Sequence, residues 1–519
     1  MTSDPRNNHR GLTLDLDAET IRSLGYRIVD IIVEELNNPS HRPAFPPATH
    51  GEAMEAVFGG PTPQEGTEPH ELLRIIKDDL LPAAANLNHP RLMAYVLSAS
   101  APLAGLIGGL TATLKLGPRT WDSQPACGQI ELTVVRWLGE MVGFCHNAAG
   151  CTTTGGSWAN LVGLAIARQR HAGWDVRADG LAGRPALTAY VSDQGHCCLA
   201  KSMELMGLGS DMLRKIPVGP DFTVRLDLLE QAIKADREAG RIPFCLIGNA
   251  GTTNTGAIDP LNDMADIAAR HNLWFHVDGA YGALAALVSS VRSKFVGMER
   301  ADSLVVDPHK WLNMPFDTGC ILTRNWHDLT DTFSLIPSYL HASTTGPEHN
   351  HLRYGFELGR TDRALKVWLA LRQYGIKQYT QIIANHLALT RFFAASVRQS
   401  NDFEVISDPT LSVCCFRFVP PDLRDRSRQV QAYLNQLNQA LETALACNGQ
   451  ALLSGTQLNG KRVLRMCIVS HRVTQASVEQ TLRLLRDIGR ELDTDLRRYF
   501  FAQSHSVASS KPADRMATG

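Results

Sequence analysis

Between residues 187 and 323 the chain sets down six short β-forming runs, at 187–192, 214–218, 244–248, 273–278, 303–307 and 319–323. Most are separated by stretches long enough for a helix. Runs this short, with little polar alternation, are buried on both faces. A mostly parallel sheet covered by helices on both sides provides that burial. The alternation predicts an α/β fold over residues 102 to about 375. In open sheets of this kind ligands collect outside the carboxyl ends of the strands. The polar residues that close the runs are therefore the first candidates for a site.

Two run ends stand out. Pro308 halts the run 303–307, and Lys310 follows between His309 and Trp311. A loop lysine is ordinarily a solvated surface residue, but an amine fixed at a strand end can also form a Schiff base with a carbonyl. The run 273–278 closes on Asp278, before the small-residue turn Gly279-Ala280-Tyr281-Gly282. That carboxylate is open to three readings: a helix cap, a magnesium ligand, or the partner that keeps a cofactor's pyridine nitrogen protonated. Protonation of that nitrogen makes pyridoxal phosphate (PLP) an electron sink. An acid and an amine on two neighbouring strand ends suit opposite sides of one ring.

A third stretch, Thr152-Thr153-Thr154-Gly155-Gly156-Ser157, runs directly into an apolar helix over 159–167. Backbone N–H groups and the helix dipole make such a start attractive to an anion, and Ser157 adds a hydroxyl. Any helix start offers some of this, so the glycines alone specify no ligand. A dinucleotide or nucleotide site is not indicated, since G-x-G-x-x-G and a Walker lysine are both missing.

The motifs together resemble the PLP-dependent group II amino-acid decarboxylases, most closely the aromatic-L-amino-acid decarboxylase branch. They are Pro125-Ala126-Cys127 with Glu131, Gly155-Gly156-Ser157 with Ala159-Asn160, and Ser192-Asp193-Gln194-Gly195-His196. Gly251-Thr252-Thr253, His276-Val277-Asp278 and Pro308-His309-Lys310-Trp311 complete the set, in the family's order. The likeness spans roughly residues 15 to 500. It implies PLP fold type I (aspartate-aminotransferase-like) and decarboxylation of an L-amino acid to its amine and CO2, with an aromatic amino acid as the first expectation.

The resemblance also implies roles. Lys310 forms the Schiff base, and Asp278 holds the ring nitrogen. His196 stacks on the ring and meets the substrate carboxylate, while Thr253 contacts the cofactor from the opposite side. Gly156 and Ser157 bind the phosphate, and His309 and Asp307 complete the cofactor-binding set. Asp307 stands where the family often has Asn. A carboxylate beside a phosphate repels it, which points Asp307 toward orienting His309 or a backbone amide. Trp158 stands where most members have an acid.

Tyr339, in Ile336-Pro337-Ser338-Tyr339, matches the loop tyrosine that protonates Cα after CO2 leaves. Related aldehyde synthases tend to carry phenylalanine there, which has no proton to give. Tyr95, Ser98 and Arg465 match substrate-side positions. Arg119 replaces a phenylalanine lent by the partner subunit, and its guanidinium suits an acidic side chain. Decarboxylation of an acidic or aliphatic amino acid therefore stays open, as do aldehyde synthesis and transamination on the same fold. A non-catalytic homologue is disfavoured by the intact Lys310, Asp278, His196 and Tyr339.

The 51 basic and 52 acidic side chains nearly cancel, so neither nucleic acid nor an anionic membrane is indicated as partner. The polar N-terminus lacks an apolar signal core. Residues 101 to 117 are apolar but short, glycine-rich and interrupted by Lys115, which predicts a buried helix rather than a membrane span. Eleven cysteines without CxxC spacing read as reduced thiols in a cytoplasmic protein, and no metal site is expected.

Helices are predicted at 17–37 and 70–81, in an N-terminal arm that the family packs on a second subunit, implying a homodimer. The expected organisation is an arm over 1–101, a large cofactor-binding domain over 102–385, a small α+β domain over 386–503 and a loose tail from 504 to 519. Within the small domain, strands are expected near 411–418 and 463–469, and a last helix over 475–499.

Overall fold

A computed structural model describes residues 13–46, 51–335, 351–424 and 427–508 of the chain. Its central sheet has seven strands: β1 (Ala149–Thr153), β2 (Leu187–Ser192), β3 (Leu213–Ile216), β4 (Ile242–Asn249), β5 (Trp274–Asp278), β6 (Ser303–Val306) and β7 (Gly319–Thr323). They lie in the order β1-β7-β6-β5-β4-β2-β3. Pairings among β3, β2, β4, β5 and β6 are parallel, while β7 and β1 are antiparallel additions. Strands β2, β5, β6 and β7 are buried along their whole length. This explains their uninterrupted apolar reading.

Strand β1 escaped the sequence reading. Its Ala-Gly-Cys-Thr-Thr run is small and half polar, yet it is wholly buried. The register pairs Asn249 with Asp278 across β4 and β5, and Asp278 with Val305 across β5 and β6. The ends of β4, β5 and β6 thus bring Asn249, Asp278 and Asp307 to one rim.

Helices cover both faces. Gly156–His171 packs on β4, β5, β6 and β7, and Pro125–Val142 lies against β1. The segment expected as a buried helix, 101–117, forms Pro102–Thr113, but only its Ala104 and Thr111 are buried. Leu106, Leu110 and the following Leu114 stay exposed. Apolar residues surround this helix on all sides, and the long helix Arg363–Gln399 covers only one of them. Its composition signals burial without saying against what.

The N-terminal arm begins with Ala18–Asn37, capped by Asp17, whose carboxylate accepts from the Glu19 and Thr20 amides. Ile31 is the one buried residue of that helix, and Ile21, Tyr26, Ile28, Val29 and Val33 are exposed. A short helix, Gly51–Phe58, was not anticipated; the expected 70–81 helix is Pro69–Ile75, continued by a wider π turn, Ile76–Leu80.

Toward the C-terminus a four-stranded antiparallel sheet, β8 (Phe403–Ser407), β9 (Val413–Phe418), β10 (Ser454–Leu458) and β11 (Lys461–Cys467), is ordered β10-β11-β9-β8. Only β9 and β11 were expected. The edge strands β8 and β10 are only partly buried and carry mixed residues. The helix Arg363–Gln399 runs through the expected boundary at 385, turning at Gly375 (φ 71°). The last helix, Gln475–Ala508, enters the segment expected as a tail. Among the described residues no helix is long and apolar enough to cross a membrane.

Candidate active site

Past β6 the chain turns into the short helix Pro308–Trp311. Trp311 anchors this turn: it is fully buried, donates from Nε1 to His386 Nδ1 at 2.9 Å and stacks on Tyr281 at 5.1 Å between ring centroids. The Ser98 hydroxyl donates to the Lys310 carbonyl at 2.9 Å, and the His309 amide donates to Thr318 O at 3.1 Å. With its backbone pinned from both sides, Lys310 extends Nζ to 3.3 Å from Asp307 Oδ2.

Asp278 closes β5 at 8% exposure, and its Oδ1 accepts from the Ala280 amide at 3.1 Å. His196 follows β2, and its Nδ1 accepts from the Cys198 amide at 3.2 Å. Burial holds its pKa below the ordinary histidine value; nearby Asp278 opposes that shift and Lys310 adds to it. The imidazole is therefore neutral near pH 7, with its proton on Nε2. Lys310, Asp278, His196, Thr253, His309, Asp307 and the Gly155–Ser157 turn all line one cavity of about 280 Å³.

Opposite the lysine, the helix Gly156–His171 starts at the cavity wall. A Cβ on Gly156 would meet Asp307 Oδ2 at 2.8 Å and the Ala280 Cβ at 2.9 Å, so only glycine lets the helix start approach so closely. The Gly156 N–H donates to Asp307 Oδ2 at 2.9 Å. The next two amides, at Ser157 and Trp158, are those that helix geometry leaves without an intrahelical acceptor.

A buried polar chain fixes this helix to the sheet. Trp274 Nε1–H donates to Ser303 Oγ at 2.8 Å, and Ser303 Oγ lies 2.7 Å from His276 Nδ1. His276 Nε2 lies 2.9 Å from Asn160 Oδ1, and Asn160 Nδ2 donates to Gly156 O at 2.8 Å. Burial pushes the His276 pKa down to about 4, so the ring is neutral. Asn160 Oδ1 can only accept, so the single ring proton sits on Nε2 and donates to it, and Nδ1 accepts from the Ser303 hydroxyl.

Behind β1, Glu131 is wholly buried. It receives Arg360 through bonds of 2.6 and 2.7 Å, and the Thr152 amide and hydroxyl at 2.7 and 2.8 Å. Burial disfavours its charge, yet Arg360 and His351 hold the carboxyl well below the usual carboxylate range.

The substrate-side candidates divide. Arg465 is buried on β11, with Nε donating to Thr253 O at 2.7 Å and Nη1 to Tyr95 O at 3.0 Å; it braces the site's backbone while Nη2 has no hydrogen-bond partner among the described residues. Ser98 faces the Lys310 carbonyl rather than the cavity's open space. The Tyr95 side chain is exposed, and Arg119 is exposed and absent from this cavity wall. Tyr339 lies outside the described residues. Asn249, Cys198 and Tyr281 also line the cavity and were not singled out from sequence. Each sits one to three residues from a strand end or motif that was, and proximity to those ends was the available signal. Among the described residues no cluster suited to a metal ion occurs.

The cavity suits PLP on its own chemistry. A primary amine can meet an aldehyde and a buried carboxylate can meet a ring nitrogen. The glycine-lined helix start, which a single Cβ would fill, can meet a phosphate.

The pyridoxal-dependent decarboxylase conserved domain matches residues 52–419. An aromatic-L-amino-acid decarboxylase of Bacillus atrophaeus is 33% identical over 481 residues, 92% of this chain and 97% of that protein. A phenylacetaldehyde synthase of Arabidopsis thaliana is 29% identical over 483 residues, 91% of this chain and 96% of the relative. The solved Oryza sativa TDC with PLP and tryptamine superimposes with a TM-score of 0.85 at 26% identity, covering 92% of this chain and 99% of that one.

Proposed function

Because the chain belongs to the pyridoxal-dependent decarboxylase family, we propose that it converts an aromatic L-amino acid to its amine and CO2, with Lys310, Asp278, His196 and Tyr339 as catalytic residues. The protein is a PLP-dependent carboxy-lyase of fold type I. An aromatic substrate is favoured by its relatives' names, the Bacillus atrophaeus enzyme above all. The observation that carries the residue roles is the meeting of an amine, a buried acid, a neutral imidazole and a helix N-terminus on one cavity wall.

Bound PLP supplies the electron sink for the pair left behind when the carboxylate departs. Asp278 keeps the ring nitrogen protonated, and its burial strengthens that attraction. Lys310 anchors the cofactor through Nζ, positioned by Ser98 and Trp311 at its backbone. The amides of Ser157 and Trp158 and the Ser157 hydroxyl hold the phosphate, while Gly156 gives them room. His196 and Thr253 would both contact the cofactor from the cavity wall, and the neutral His196 would offer Nε2–H to the substrate carboxylate. Tyr339 returns the proton to Cα. Arg465, which holds the Tyr95 carbonyl through Nη1, has Nη2 to spare for the substrate side.

The chain works as a homodimer. The exposed apolar faces of Ala18–Asn37 and Pro102–Thr113 suit a second subunit, and Arg119, in the loop beyond the latter helix, reaches the partner's cavity. Residues 1–101 act as the docking arm, 102–385 as the cofactor-binding domain and 386–503 as the small domain, in a cytoplasmic enzyme.

The test is a panel of L-amino acids with PLP, scored for CO2, amine, aldehyde and peroxide. Amine from tryptophan, tyrosine, phenylalanine or DOPA is the expected result. CO2 from acidic or aliphatic substrates alone overturns the substrate class, and aldehyde with peroxide overturns the reaction.

A further inference from the structure

Behind the cavity wall, Asn254 joins three parts of the chain. It directly follows Thr253, which lines the cavity from the loop after β4. Its Nδ2 donates at 3.2 Å to the side-chain oxygen of Gln194. Gln194 stands two residues before His196, which lines the same cavity from the loop after β2. Both oxygens of Asn254 face the four-stranded sheet instead. Oδ1 takes the Thr456 hydroxyl of β10 at 3.0 Å. The carbonyl oxygen takes the Cys415 thiol of β9 and Arg465 Nε of β11, each at 3.2 Å.

The direction of these bonds is fixed from one end. Gln194 Nε2 lies 2.8 Å from Asp193 Oδ1, and a carboxylate only accepts. Gln194 therefore turns Oε1 toward Asn254, which meets it with its amide NH2 and leaves Oδ1 to accept from Thr456. The run from Thr456 through Asn254 and Gln194 to Asp193 has a single polarity. Both turns it connects are stiff. The Gly195 amide donates to Ser192 O at 2.9 Å, and a Cβ on Gly195 would meet Val191 Cγ2 at 2.6 Å. On the other turn, the Thr252 amide donates to Ala257 O at 2.8 Å and the Gly256 amide to Thr252 O at 2.9 Å. Each turn presents one of the two residues to the cavity, and Asn254 is where they are tied.

We infer that Asn254 is a positioning residue, which sets His196 and Thr253 relative to each other and to the small sheet. This rests on the cofactor contacts proposed above for those two residues. A bond that only braced the surface would add stability and leave a bound cofactor unaltered. This one spans the two turns that carry cavity residues, so losing it changes how the cofactor is held. A neutral hydrogen bond is worth about 2- to 10-fold in an equilibrium, which is the size of effect expected on cofactor affinity.

The test reads the bound cofactor rather than turnover. PLP affinity is measured by imine absorbance, and the circular dichroism of the imine band is recorded at saturating PLP. The urea midpoint of the cofactor-free protein is followed beside them. Asn254→Asp keeps the side chain's size but sets an acceptor against Gln194 Oε1. It should weaken PLP about 2- to 10-fold and change the dichroism of the imine band. Thr456→Val removes the hydroxyl without adding charge and should act in the same direction, while Thr456→Ser should keep wild-type values. Wild-type affinity and dichroism in both Asn254→Asp and Thr456→Val overturn the inference. So does a Thr456→Ser protein that behaves like Thr456→Val, or losses that appear only where the urea midpoint falls. If Asn254→Asp does not fold, the Thr456 pair decides. A wild-type protein without an imine band in the presence of PLP would instead remove the cofactor contacts on which the inference rests.

Discussion

Replacing Arg360 by alanine tests whether the buried ion pair behind β1 supports the cradle. The guanidinium closes on a wholly buried Glu131 through two short bonds, and the same carboxylate takes both donors of Thr152. Removing Arg360 leaves that charge without its permanent counter-ion where water reaches poorly. Breaking one partner of such a pair costs about 3–5 kcal/mol, whereas an exposed pair is worth about 0–1 kcal/mol. The two scales are easy to separate.

Taking away both charges, as Glu131→Leu with Arg360→Met, should cost less than Arg360→Ala alone, because no orphan charge remains. The assay is urea unfolding of the cofactor-free protein by tryptophan fluorescence, with PLP affinity measured in parallel. Thr152 lies on the strand that leads into Gly155–Gly156, so PLP binding should weaken along with stability. The sign with pH is fixed too. The folded-state pKa of Glu131 is depressed, so its contribution is complete above the ordinary glutamate value of about 4.3 and is lost as pH falls through the folded value. The advantage of wild type over the double variant should therefore shrink in acid. A cost below about 1 kcal/mol for Arg360→Ala, or a double variant less stable than the single one, refutes the reasoning.

Other outcomes are as definite. Lys310→Ala should abolish the visible imine absorbance of added PLP, and an unchanged spectrum would remove that amine from its role. Tyr339→Phe should divert product from amine toward aldehyde, which product analysis by chromatography checks; undiminished amine formation rules the tyrosine out as proton donor. Since burial lowers the His196 pKa, kcat/KM should hold its plateau below pH 6.5 and fall only as the ring charges. A break at or above 6.5 would contradict a neutral buried imidazole.

Much of this was legible in the sequence because the strands are buried on both faces. Runs such as 187–192 and 319–323 read as continuous apolar segments and coincide with β2 and β7. Lys310 and Asp278 stood out as candidates because Asp278 closes one such run and Lys310 follows the end of another, and both line one cavity. What could not be read depends on partners distant in the chain. Arg360 is invisible as a structural cation until it meets Glu131, far earlier in sequence. Ser98 carries nothing to say that its hydroxyl faces a backbone carbonyl. The helix Pro102–Thr113 shows the same limit from the other side: its apolar character is plain, but its Leu106 and Leu110 find no cover among the described residues.

The polar chain from Trp274 through Ser303 and His276 to Asn160 also constrains how this sequence can drift. Ser303, His276 and Asn160 each have a partner on either side and Trp274 ends the chain, with donor and acceptor roles already assigned, so changing any one strands its neighbours in the interior. Positions 160, 274, 276 and 303, scattered along the polypeptide, are inherited as one word: descendants keep the whole spelling or rewrite several letters at once.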